Sequence, residues 1–259
     1  MKIRLVATDM DGTLLDSKKR LPADFMDWVK AHPDIKTVIA SGRQYYTLLK
    51  EFLPIKEKLI YIAENGGFVF EKEKLIYSNE MEKGDIYRCL DRIEQIKGLT
   101  PVICGEKSAY MKPSKDFVLK EVKMYYDHLE QTKDLRQAAM RDTIAKIAIF
   151  AEEKKAESAM VHFKDIGRNL AVVLSGDSWI DISNRTVNKG TAIVQIQKKY
   201  GIDKAECMAF GDYLNDAQML ENCAESYCME NGHPDLKALA KYTAASNDED
   251  GVMQVLKNL

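Results

Sequence analysis

Asp9 and Asp11 stand two positions apart at the end of an apolar run, in the stretch VATDMDGTLL, residues 6 to 15. In an extended strand, residues i and i+2 project to the same side. Both carboxylates can therefore face one point beyond the strand's carboxyl end, where open α/β sheets bind their ligands. Two carboxylates that close repel each other, so the arrangement calls for a cation, a shared proton or a chemical use. A turn made of Asp, Gly and Thr accounts for one aspartate before Gly12. It does not account for the second.

Three further clusters could join them. Ser41-Gly42-Arg43 follows one buried strand and precedes a helix, where a hydroxyl and free backbone N–H groups suit an anion; the plainer reading is an N-cap serine. Lys189, in VNKG, stands just ahead of a helix; taken alone it reads as a solvated surface lysine. The stretch FGDYLND places Asp212, Asn215 and Asp216 after another buried strand. Oxygen-only ligands of that kind suit a hard cation such as Mg2+, and the plainer reading is an Asp/Gly turn capping the next helix.

The elements that must position these residues alternate between strand and helix. Ile3 to Thr8, Lys36 to Ala40 and Leu59 to Ala63 are short, apolar and rich in β-branched residues, as expected for strands buried on both faces of a parallel sheet. Residues 22–31 and 45–52 read as helices between them. FVFE and KLIYS, after the Gly66-Gly67 turn, resemble a small hairpin. From about Lys83 the texture changes to α+β: an amphipathic helix over 86–96, strands PVICG and SAYMK, a charged helix over 117–131, the strand 144–151, a helix in ESAMVHFKDI, and strands LAVVLSG and SWIDISN. From Val187 the α/β alternation returns, with helices over 190–200, 215–221 and 235–241 around CMAFG and SYCME.

Whole-chain properties exclude several classes of function. The 259 residues exceed a typical single domain, so one large or two medium domains are expected. A formal net charge of −2 gives no electrostatic case for nucleic acid or an anionic membrane as partner. The five cysteines are odd in number and form no C-x-x-C pair, which fits reduced thiols in a cytoplasmic protein. No apolar run approaches the ~20 residues of a membrane span, and no signal-peptide pattern opens the chain, so the cytoplasm is the expected location. Neither a P-loop nor a dinucleotide fingerprint is present, and the four histidines show no zinc spacing.

Together the four clusters resemble the four motifs of the haloacid dehalogenase (HAD) superfamily, in the same order: DMDGTLL, ASGR, the Lys189 of NKG, and GDYLND. ENGG and ASNDEDGV look like the Cof-type sugar-phosphate phosphatase branch. The resemblance covers almost the whole chain and is weakest across 84–186. It implies an α/β fold: a doubly wound, Rossmann-like parallel-sheet core over 1–83 and 187–259, with an α+β cap inserted over 84–186. It also implies a Mg2+-dependent phosphomonoesterase acting on small phosphorylated metabolites, sugar phosphates first among them. Asp9 would be the nucleophile and Asp11 the general acid and base. Mg2+ would lie against Asp9, the backbone carbonyl of Asp11 and Asp212, with Asp216 behind them. Ser41, Gly42, Lys189 and Asn215 would hold the phosphate, and Arg43 and Asn65 are candidates for meeting the rest of the substrate. A phosphomutase of the same superfamily and a non-catalytic phosphometabolite-binding protein are the alternatives. Two departures from the branch pattern are Glu230, in CMENG, and Tyr213, inside the fourth motif.

Overall fold

The computed structural model describes residues 2–259. Two compact units divide the chain: the residues up to Tyr77 together with Asn188–Leu259, and Ser78–Val187. In chain order the strands are β1 (Leu5–Asp9), β2 (Lys36–Ala40), β3 (Leu59–Ala63), β4 (Phe68–Glu71), β5 (Lys74–Ser78), β6 (Leu99–Gly105), β7 (Ala109–Met111), β8 (Leu129–Gln131), β9 (Ile144–Ala151), β10 (Leu170–Leu174), β11 (Trp179–Asn184), β12 (Cys207–Gly211), β13 (Glu225–Met229) and β14 (Tyr242–Ala244).

The first unit holds one sheet in the order β14-β13-β12-β1-β2-β3-β4-β5. The six strands from β14 to β3 run parallel, and β4 turns antiparallel to β3. Every residue of β1, β3 and β12 is buried, which is why these runs carry no polar alternation. Register sets the level at which the strands stop. Thr8 pairs with Phe210 and Asp9 with Ala40. The carboxyl ends of β12, β1 and β2 therefore finish side by side, delivering Gly211-Asp212, Asp9 and Ser41 to one edge.

The helix Lys189–Tyr200 is tied to that sheet by its apolar stripe. Ala192, Ile193 and Ile196 pack among Leu5, Ala7, Val38 and Ala40. Burying each isoleucine is worth roughly 1.5–3 kcal/mol, and the docking fixes the helix's amino end beside the strand ends. Asn188 caps that end, its Oδ1 accepting from Thr191 N at 2.8 Å. Gly190 allows a close crossing: a Cβ there would lie 2.3 Å from the carbonyl oxygen of Gln218.

The second unit is a sheet in the order β10-β11-β9-β6-β7-β8, antiparallel except for the β7–β8 pair. The helix Lys83–Glu94 lays Ile86, Cys89, Leu90 and Ile93 on one face, among Ile147, Ile149, Ile180 and Ile182. The helix Asp116–Lys123 packs Val118 and Val122 with Val102, Met111 and Phe150 in a separate cluster. The single helix expected over 117–131 is not what forms: it ends at Lys123, and Leu129–Gln131 becomes β8. Tyr126 is drawn into the cluster beside Trp179, with ring centroids 6.5 Å apart, and the chain then adds a short strand to the free edge of β7. The stretch ESAMVHFKDI is likewise only one helical turn, Ala156–Ala159, followed by a tighter turn over Met160–Phe163.

Candidate active site

Lys189 is the centre of the arrangement. Its side chain is fully buried, with Nζ 2.5 Å from Asp9 Oδ1 and 2.6 Å from Asp216 Oδ1. Burial works against its charge, but Asp216 and Asp9 outweigh that and hold the lysine above its ordinary range. Asp216 is fully committed: its Oδ2 accepts from the backbone N–H groups of Asp212, at 3.0 Å, and Tyr213, at 3.2 Å. The loop after β12 is thereby folded back on its own carboxylate. Gly211 is required for this, since a Cβ there would lie 2.5 Å from that of Asp216.

Asp9, Asp212 and Asp216 bring one carboxylate oxygen each within 4.8 Å of one another. Burial pushes the Asp9 carboxyl up to about 7; Lys189 opposes the rise, and Asp216 adds to it. Asp212 is raised as well, by burial and then by Asp216. Three carboxylates facing one ammonium leave an excess of negative charge, and the donor set is oxygen only. Both features fit a hard divalent cation. Thr13 Oγ1 donates to Asp212 Oδ1 at 3.1 Å. Gly12, at φ +84°, lets the backbone pass Asp212: a Cβ there would stand 2.4 Å from Asp212 Oδ2.

Asp11 belongs to the same edge but to a different electrostatic setting. Arg43 donates to it twice, Nε to Oδ2 at 2.8 Å and Nη2 to Oδ1 at 2.7 Å. Lys19 Nζ adds a third bond to Oδ1 at 2.7 Å. Burial alone would raise this carboxyl, but the hydrogen bonds from Arg43 and Lys19 outweigh it and hold Asp11 below the usual carboxylate range.

Ser41 is buried at the end of β2, and its Oγ accepts from Arg43 N at 3.2 Å, leaving its own proton to donate. The ENGG loop fastens this segment. Asn65 N donates to Ser41 O at 3.0 Å and Glu64 N to Arg43 O at 3.1 Å. Asn65 adopts the left-handed conformation that asparagine tolerates, at φ 55°, and its Oδ1 accepts from Asn215 Nδ2 at 3.1 Å. Gly42 lies against it; a Cβ on Gly42 would be 3.0 Å from Asn65 Nδ2. Asn215 thus meets the end of β3, and Arg43 meets Asp11. The remaining sequence-named residues, Asp9, Ser41, Lys189, Asp212 and Asp216, gather at the strand ends.

The haloacid dehalogenase-like hydrolase family matches the chain over residues 6–256. The chain belongs to this family. Within it, 5-amino-6-(5-phospho-D-ribitylamino)uracil phosphatase YbjI of Escherichia coli (strain K12) is 33% identical over 99% of this chain and 96% of the relative. Phosphatase YwpJ of Bacillus subtilis (strain 168) is 27% identical over 99% of this chain and 100% of the relative. Among solved structures, SMU.1108c from Streptococcus mutans UA159 superposes with a TM-score of 0.84 at 30% identity, covering 99% of this chain and 98% of that one. The parallel sheet described above is the HAD core, and the chain is a hydrolase whose two curated relatives above are named phosphatases.

Several residues of this HAD site carry no signal in the sequence motifs. Lys19 lies outside them, as do Asn231, Asn247 and Asp248, which hold the segment after β1. Asn231 Nδ2 donates to Gly12 O at 2.8 Å, and Asn247 Nδ2 to Leu15 O at 2.9 Å. The asparagine-rich stretch ASNDEDGV was the available signal, though it says nothing about which backbone it would hold. Of the two departures, Glu230 is exposed and its carbonyl accepts from Lys237 Nζ. Tyr213 is 57% exposed, with its ring edge-on to His233 at 5.5 Å. All five cysteines are buried and free, and no helix among the described residues is long and apolar enough to cross a membrane.

Proposed function

We propose that the chain is a Mg2+-dependent phosphatase of small phosphorylated metabolites, sugar and sugar-alcohol phosphates in particular, working through a phosphorylated Asp9. The observation that carries this reading is the fully buried Lys189 bridging Asp9 and Asp216 next to Asp212, with Asp11 held apart by Arg43 and Lys19. Mg2+, held by the carboxylates of Asp9 and Asp212 and the backbone carbonyl of Asp11, would supply positive charge against the phosphate's oxygens. Lys189 opposes the protonation of Asp9 and orients its carboxylate, and Ser41 Oγ donates to a phosphate oxygen. Asp9 attacks phosphorus as the ester P–O bond breaks, and Asp11 gives its proton to the departing alcohol. Asp11, now a carboxylate, takes a proton from water as that water attacks phosphorus, freeing Asp9 and inorganic phosphate. Phosphoryl transfer of this kind is mainly positioning and charge stabilisation. Asn65 and Asn215 keep the loops that bear these groups in register. The unit over residues 78–187 is the candidate for selecting the leaving group, as an inserted cap.

The compound in the name of YbjI, a phosphorylated ribityl chain on a uracil, makes such a sugar-alcohol phosphate the first ester to assay. Phosphate release from a panel of monoesters with Mg2+, beside the same panel in excess chelator, tests the reading. Release that needs the metal supports it. Isomer interconversion without release would make the chain a mutase, and binding without turnover would leave it a sensor.

A further inference from the structure

We infer that Lys19 is a specificity-determining residue of this site, one that reads an oxygen on the carbon next to the phosphate ester. The inference rests on the phosphatase reading and adds to it a feature of the substrate's leaving group. Lys19 lies on an exposed turn, yet that turn is fixed with unusual completeness. Asp16 accepts from Lys18 N at 2.9 Å, Arg20 N at 2.8 Å and Arg20 Nε at 2.7 Å, while Lys19 N donates to Asp16 O at 2.9 Å. From across the sequence, Asp248 accepts from Ser17 N at 2.8 Å and from Ser17 Oγ at 2.7 Å. Asn247 and Asn231 hold Leu15 and Gly12 by their carbonyls, and Asn247 N donates to Asn231 Oδ1 at 3.1 Å. Lys19 itself adopts φ +60°, a left-handed conformation that a lysine rarely takes. A solvated lysine needs none of this. Here the result is a 61% exposed side chain whose ammonium is returned to Asp11, eight residues earlier, at 2.7 Å.

The ammonium carries three donors. Asp11 takes one, and nothing among the described residues takes the others. An ester oxygen receiving its proton from the Asp11 oxygen that Lys19 also contacts lies no more than two hydrogen bonds, about 6 Å, from Nζ. An oxygen on the adjacent carbon falls within reach of the two remaining N–H groups. Hydroxyl, carbonyl and carboxylate oxygens all suit them; a bare methylene does not. The substrates favoured by this contact are esters of polyols and sugars over simple alkyl esters.

The test compares glycerol 1-phosphate, which has the adjacent oxygen, with n-propyl phosphate and p-nitrophenyl phosphate, which lack it. Lys19→Gly and Lys19→Asn both accept the left-handed backbone, so the turn survives the loss of the ammonium. A hydrogen bond from a charged donor is worth roughly 10- to 100-fold. Loss of the Lys19–Asp11 bond acts on all three esters alike; the expected result is a fall in kcat/KM for glycerol 1-phosphate that exceeds this shared effect by about that size, with substantial recovery in Lys19→Arg. Equal losses on all three esters would show that Lys19 only holds Asp11 in place and would overturn the inference. No loss on any ester would overturn it as well. A wild-type enzyme that releases phosphate from none of them would remove the phosphatase reading first, and this role with it.

Discussion

Replacing Lys189 by methionine removes the cation that bridges the buried carboxylates of Asp9 and Asp216 while keeping a side chain of similar length. Lys189 is fully buried and bonded to both Asp9 and Asp216. Removing one partner of a buried ion pair typically costs about 3–5 kcal/mol, because the remaining charge stays desolvated. The total stability of a domain is roughly 5–15 kcal/mol, so the variant should fold but with a large part of its margin gone. The loss should depend on pH. Burial already pushes Asp9 up to about 7, with Lys189 opposing the rise. Without the lysine, Asp9 rises further and the folded state takes up a proton that the unfolded state does not hold at the same pH. A carboxyl with a raised folded-state pKa leaves stability intact at low pH and subtracts from it as pH climbs through that pKa. The deficit of Lys189→Met relative to the parent should therefore stay level from pH 5 to 6.5, where Asp9 holds its proton in both folded proteins and the loss comes from the stranded Asp216, and grow from about pH 7 towards pH 8. Added Mg2+ should recover part of it, since saturation at a hundred times Kd is worth about 2.7 kcal/mol.

Urea unfolding of both proteins at pH 5, 6.5 and 8, with chelator and with Mg2+, gives every quantity in that argument. Turnover should fall by 10²-fold or more, in line with removing a group that stabilises developing negative charge. A deficit below about 1 kcal/mol, or one that stays flat across the pH range, would refute the reasoning. It would mean that the three carboxylates do not depend on the lysine for their charge state.

Asp9→Asn should abolish turnover while raising the melting temperature of the metal-free protein at pH 8, because it removes one of the crowded charges; retained phosphate release would move the nucleophile elsewhere. Mg2+ binding should release protons near neutral pH, since Asp9 titrates at about 7 without the ion, so affinity should rise from pH 6 to pH 8; calorimetry in two buffers of different ionisation enthalpy reads the proton count. Gly12→Ala should destabilise by more than about 1 kcal/mol and weaken metal binding, because its Cβ would meet Asp212 Oδ2 at 2.4 Å at a φ of +84°. Gly84→Ala is the matched control: it lies exposed in the helix Lys83–Glu94 with nothing within 4 Å of the added Cβ, and should stabilise by about 0.5–1 kcal/mol.

The sequence shows some parts of this site clearly and others not at all, for physical reasons. Asp9, Ser41 and Asp212 are visible because each ends a short apolar run of the kind that fits the inner strands of a parallel sheet. Lys189 is visible only in company: as a single lysine before a helix it carries no mark of being a fully buried charge. Lys19 is invisible because its role depends on a turn closed by Asp16 and anchored by Asp248, 231 residues from Ser17. No local pattern reports a contact of that span. The misread helix after Asp116 fails for a related reason. Periodicity continues into Tyr125 and Tyr126, but Tyr126 is taken by Trp179 and the free edge of β7 claims Leu129–Gln131. A three-residue strand is too short to leave a period of its own.

The two aspartates of the first motif are displaced in opposite directions, and the directions are informative. In the protein alone, burial raises Asp9, the proposed nucleophile, while Arg43 and Lys19 hold Asp11, the proposed acid, below its usual range. A nucleophile should be ionised and an acid should hold a proton, so each group starts on the wrong side of its task. On the proposed reaction the ligands correct both. A divalent cation held by Asp9 and Asp212 favours the ionised form of Asp9. A phosphate dianion arriving beside Asp11 sets negative charge against Arg43 and Lys19, and Asp11 can then take up the proton that the leaving alcohol needs. After the alcohol departs, the same two cations favour the carboxylate that must accept a proton from water. The clamp on Asp11 thus opposes its first role and assists its second. This fits a site in which the acid forms only when substrate is present, and in which bulk water is not activated against an empty centre.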